Sequence, residues 1–137
     1  MPESSARIGK RALQAVVAIG SLVPIAAGGA GVILGPGFFG DHTVASADLD
    51  GHFRYLSGLL LGIGLAYLSA VPNIEKRQQR FLLLAGLVVL GGLGRLLSVL
   101  LRGAASQTMV FALVMELAVA PAITLWQLCI ARRTTLD

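Results

Sequence analysis

The sequence predicts an all-α membrane protein: an antiparallel bundle of four transmembrane helices that takes up residues 1–137 as a single domain. Three observations lead there. Hydrophobic residues make up 55% of the chain and charged residues 13%, the latter about half the share of an ordinary soluble domain. Apolar runs of roughly twenty residues recur with short connections, and at about 1.5 Å per residue each reaches across about 30 Å of hydrocarbon. Basic residues flank these runs at alternate ends, as topology signals do. The mean hydropathy of +0.80 agrees. Backbone groups cannot go unpaired in lipid, and none of the runs alternates like a barrel strand, so the spans are helices.

The first span is Ala12–Leu34, preceded by Arg7, Lys10 and Arg11. A signal peptide shares that layout, but this run is longer than a signal core, so a retained anchor is expected. The second is His52–Val71, closed by Pro72, which cannot continue a helix comfortably. The third is Phe81–Leu101, interrupted by Arg95 and Ser98, and the fourth is Thr108–Ile130, interrupted by Glu116 and Pro121. Lys76, Arg77 and Arg80 join spans two and three, and Arg132 and Arg133 follow span four. With the N-terminal group they mark one side as cytoplasmic, so both termini are expected there. The loop 36–51 carries Asp41, Asp48 and Asp50 and no Lys or Arg. Short links make consecutive helices antiparallel neighbours.

Composition also excludes function classes. The pI of 10.0 comes from residues flanking apolar runs, without interleaved aromatics, so it does not indicate nucleic acid. The single cysteine, Cys129, rules out an intrachain disulfide and reads as a small buried hydrophobe, with palmitoylation as the alternative. Asp48, Asp50 and His52 lack a full ligand set for a divalent cation, and Asp50 reads instead as the cap of the second helix. Gly91, Gly92 and Gly94 follow no strand, so no dinucleotide site is expected. Neither a catalytic triad nor a haem-type histidine pair is evident, His42 and His52 lying outside or at the surface of the spans. No metal or cofactor is expected.

Seventeen glycines provide close backbone approach, which has to replace the hydrophobic effect between helices in lipid. Span one holds Gly28, Gly29, Gly31 and Gly35, and span two sets Arg54, Gly58, Gly62 and Ala66 on one face at four-residue intervals. Span three adds Gly86, Gly91, Gly92 and Gly94. Packing within the chain is the direct reading, and homodimerisation through GxxxG is the other.

The informative residues are those lipid rejects. Arg95 lies about 20 Å into its span, where an arginine costs about 2.5–3.5 kcal/mol on insertion scales. Gly91, Ser98 and Arg102 share its face. Glu116 enters from the other side to about 10–12 Å, a similar depth, and is the expected partner. Its face continues through Ala120, Thr124 and Gln127, a polar stripe expected to point inward, and Trp126 suits an interface. Arg54 and Tyr55 start span two. Arg54, Tyr55, Arg95, Ser98, Arg102 and Glu116 therefore gather in the outer half of the bundle. Either the ion pairs only set helix register, or the excess of arginine forms a cationic pocket for an anionic head group or a quinone oxygen. Acid–base chemistry at Glu116 is a third use.

The stretch Asp50-Gly-His52-Phe-Arg54-Tyr55-Leu-Ser-Gly58, then Gly91-Gly-Leu-Gly-Arg95-Leu-Leu-Ser98, then Glu116 with Pro121 and Trp126, resembles an uncharacterised bacterial four-helix membrane family. That family is a domain of unknown function, distantly similar to the DoxX group of small membrane proteins. The resemblance covers nearly the whole chain. It implies the four-helix fold, an inner-membrane location and one constellation of Arg54, Tyr55, Arg95 and Glu116, but no reaction. The expected function is binding of a lipid-like or quinone-like molecule in the outer leaflet. The alternatives are an accessory subunit of a larger membrane complex and a membrane enzyme using Glu116.

Overall fold

The computed structural model describes residues 2–39, 46–103 and 106–134; Asp41 and His42 lie outside them. Among the described residues all regular structure is helical. Helix α1 runs Pro2–Leu34 and ends in a 3-10 turn, Gly35–Phe39. Helix α2, Ala47–Ala70, passes into a 3-10 segment, Val71–Lys76. Helix α3 is Gln78–Arg102. The last apolar stretch is α4, Gln107–Val114, a π-turn, Met115–Val119, and α5, Ala120–Thr134. Four helical segments are long and apolar enough to cross a membrane: Arg7–Gly37, Ala47–Lys76, Gln78–Arg102 and Gln107–Arg132.

Helix starts follow from hydroxyl chemistry. The hydroxyl of Ser46 accepts from the Leu49 N–H at 3.3 Å, and that of Ser106 from the Met109 N–H at 3.2 Å, each satisfying one of the first-turn donors that a helix leaves open. The cap of α2 is therefore Ser46, and Asp50, expected in that role, lies inside the first turn. The reason is that Ser46 has the extended backbone a cap requires. Pro72 also ends nothing abruptly. The chain tightens into 3-10 turns around it and breaks at Asn73, with φ −123° and ψ 48°.

The chain gathers into two compact units, Ala15–Val71 on one hand and Met1–Gln14 with Pro72–Asp137 on the other. In the first, α1 and α2 meet through glycine. A Cβ on Gly28 would lie 2.5 Å from the Leu61 nitrogen and 2.7 Å from the Ser57 oxygen, both backbone atoms. Gly31 faces the Ser57 side chain, and Gly64 faces Pro24 and Ile25. The contact stripe of α2 is thus Ser57, Leu61 and Gly64. The face expected from the sequence is turned aside: Gly58 only reaches Val32, at 3.9 Å, and Gly62 has no neighbour within 4 Å. Small residues permit close approach without dictating which of two adjacent stripes is used. Gly35 closes α1 with φ +64°, a left-handed backbone that glycine adopts without strain.

The second unit has its core where α2 hands over to α3. Leu13, Ile74, Phe81 and Gln127 are fully buried, with Leu84, Ala85, Thr124 and Ala131 close behind. Since the link Val71–Lys76 is not α-helical, its carbonyls need other donors. The Gln127 amide donates to the Ile74 oxygen at 2.8 Å, the Gln14 amide reaches the Pro72 oxygen at 3.5 Å, and Lys10 pairs with Glu75 at 3.0 Å. The inward stripe through Thr124 and Gln127 is as expected. Cys129 is not: it is exposed, because it lies two residues from Gln127 and so about 200° round the helix.

Gly28→Val should lower the midpoint of thermal unfolding in detergent by the equivalent of about 1–3 kcal/mol, since backbone cannot yield to the added methyls. Gly62→Ala, with nothing within 4 Å, should stay within about 0.5 kcal/mol of wild type in the same measurement.

Candidate functional site

The candidate site starts with a proline. Pro121 has no N–H for the Leu117 carbonyl, and in an α-helix its ring would strike that same carbonyl. The chain answers with one wider turn, Met115–Val119, in which the Ala120 N–H bonds back to the Met115 oxygen. A π-turn adds about one residue to the register, so side chains on it point roughly 100° from where a regular helix would aim them. Glu116 is one of those side chains.

Helix α3 comes close at the same level. A Cβ on Gly92 would lie 2.8 Å from Leu117 Cδ2 and 2.9 Å from Glu116 Cβ, so only glycine lets the two segments touch. Arg95, three residues on, then meets Glu116 as a fork: Nε donates to Oε2 and Nη2 to Oε1, each at 3.1 Å. Two parallel charge-assisted bonds fix both side chains. The pair is only partly enclosed, with 36% of the Arg95 side chain and 16% of the Glu116 side chain exposed. Among the described residues Nη1 of Arg95 has no hydrogen bond. Ser98 and Arg102, one and two turns further along that face of α3, are exposed.

The other expected members belong to the other unit. The Arg54 Nε donates to Asp50 Oδ2 at 2.8 Å, and its Nη1 donates to the oxygens of Val32 and Ile33 at 2.6 and 3.0 Å. Those carbonyls belong to the last turn of α1, which has no donors of its own and carries the negative end of the helix dipole. Arg54 is a helix cap. Tyr55 is 66% exposed. The His52 ring bonds to the Asp48 carbonyl through Nδ1 at 2.8 Å. Among the described residues no three His, Cys, Asp or Glu side chains group as metal ligands.

Sequence reasoning passed over Glu75. Its Oε1 holds Lys10, while its Oε2 and the Oε1 of Gln127 are buried without a hydrogen-bond partner among the described residues. The available signal was charge spacing: Glu75 is the one acid among the basic residues that join spans two and three.

The family model described as a domain of unknown function (DUF4345) matches residues 12–127. The match takes in Arg54, Gly92, Arg95, Glu116, Pro121 and Gln127, so every feature of the site falls inside it. No curated protein and no solved structure matches the chain.

Glu116→Leu should destabilise by about 1–3 kcal/mol, because it strands a partly buried guanidinium. Arg95→Leu combined with Glu116→Leu should recover most of that loss. Thermal unfolding of the two single variants and the double variant gives the coupling. In a Pro121→Ala background that coupling should collapse, because the restored N–H lets the turn relax to α register and carries Glu116 away from Arg95.

Proposed function

The chain belongs to the DUF4345 family, a domain of unknown function, and from that premise we propose that it is a four-span bacterial inner-membrane protein. Its helices form an antiparallel bundle with both termini cytoplasmic, and it binds the polar head of a lipid-like or quinone-like molecule at the Arg95–Glu116 pair. The observation that carries this reading is the partly exposed Arg95, held by Glu116 through two nitrogens while Nη1 has no hydrogen bond among the described residues. A phosphate, carboxylate or quinone oxygen can accept from Nη1 without displacing Glu116. Ser98 and Arg102 extend the polar strip for a larger head group. Leu90, Leu97 and Leu101, all well exposed on α3, offer apolar surface to a tail.

Two features limit the constellation. Arg54 already serves the end of α1, so the ligand falls to Arg95, Ser98 and Arg102. Glu116 has both oxygens engaged by Arg95, which weighs against its use as an acid or base. An accessory-subunit role draws support from Gly86, Gly91 and Gly94, which have no neighbour within 4 Å and leave a smooth strip for a partner helix. Crosslinking in native membranes separates the two readings, since a stoichiometric partner favours the second.

Native mass spectrometry of the purified protein, followed by lipid extraction, should find a co-purifying ligand. Arg95→Ala should lose it, whereas Arg54→Gln should keep it despite lower thermal stability. A wild-type protein that carries nothing removes the binding reading.

A further inference from the structure

The strip around Arg95 has a charge balance that narrows its ligand. From Gln78 to Leu136 the sequence holds one acid, Glu116. Two arginines stand on one face of α3 within that stretch, Arg95 and Arg102. Both oxygens of Glu116 are engaged by Arg95, each at 3.1 Å. The Arg102 side chain is exposed and, among the described residues, has no ion pair. Two positive charges against one negative leave the strip cationic.

The hydrogen-bonding groups point the same way. Nη1 of Arg95 keeps its N–H donors, Ser98 adds a hydroxyl and Arg102 a guanidinium. Ser98 lies about 4.5 Å along the axis from Arg95 and about 6 Å from Arg102. A head group seated at Ser98 is therefore within one turn of both cations.

Three heads compete for such a strip. A quinone brings neutral oxygens and leaves the extra charge uncompensated, which is costly in apolar surroundings. A fatty carboxylate supplies the charge but ends at its two oxygens. A glycerol phosphate supplies the charge and carries acceptors on both the phosphate and the hydroxyls, enough for donors spread over two turns. Leu97 and Leu101, 55% and 74% exposed, flank the strip and give acyl chains a surface that free phosphate has no use for. We propose that the head group bound at Arg95 is the glycerol phosphate monoanion of a membrane lipid, of the phosphatidylglycerol class. This rests on Arg95 being a binding site and adds the charge and class of the head.

The test uses full-length protein, delipidated in a neutral detergent. It is titrated with phosphatidylglycerol, phosphatidylcholine, oleate or decylubiquinone and read by native mass spectrometry. Wild type should bind phosphatidylglycerol about fivefold more tightly than phosphatidylcholine, whose choline cancels the phosphate charge. Arg102→Gln should remove most of that preference, and Arg102→Lys should keep it. Arg7→Gln removes equal charge elsewhere and should leave the preference intact. Tighter binding of oleate or decylubiquinone would overturn the phosphate class while leaving Arg95 a binding site; no binding of any of the four would remove both. An unchanged preference in Arg102→Gln, or an equal loss in Arg7→Gln, would also overturn the proposal. So would displacement of the lipid by millimolar inorganic phosphate, which would assign the strip to a free anion.

Discussion

A helix that ends, bends or widens leaves backbone carbonyls without donors, and in apolar surroundings no water repairs them. That constraint accounts for where the polar side chains of this protein are found. Arg54 closes the last turn of α1, and Gln127 supplies the Ile74 carbonyl in the non-helical link. Ser46 and Ser106 serve the opposite defect, the open N–H groups at helix starts. Other polar side chains answer to one another instead, as Lys10 does to Glu75.

Arg95 and Glu116 are the main exception. Neither mends a backbone defect; they satisfy each other, and three other residues make that possible. Pro121 forces the wide turn, the wide turn aims Glu116, and Gly92 admits α3 close enough for the fork to form. Replacing a proline by any other residue would leave both charges in the chain and remove the reason they meet. Ion pairs of this kind are weak sources of net stability but strict about arrangement. An arginine held this way, with Nη1 free of hydrogen bonds among the described residues, is fixed in orientation, and preorganisation of that sort would lower the entropy lost in the proposed binding.

Arg54, Arg95 and Arg102 show how one residue type divides by context. Arg54 is bound to carbonyls at the end of α1 and to an aspartate one turn back, Arg95 is partly enclosed against a glutamate, and Arg102 is exposed at the end of α3. Insertion cost alone treats them alike. What separates them is the nearest acceptor: a helix end for the first, a carboxylate on the neighbouring segment for the second, and the open surface for the third.

Much of this was legible in the residues. Four apolar runs, their lengths, the pairing of Arg95 with Glu116 and the inward stripe through Thr124 and Gln127 follow from composition, period and depth, which are properties of one helix at a time. The choice between neighbouring stripes on α2 is not such a property: Ser57 and Leu61 meet Gly28 rather than Gly58 and Gly62 because two surfaces must fit together. Arg54 became a cap, and Glu75 a partner of Lys10, only once the end of α1 and the link after α2 had fixed positions. Periodicity along the chain thus determined which segments are helical and which charges need partners. The tertiary structure decided who those partners are, because each acceptor lies on a different turn or a different helix.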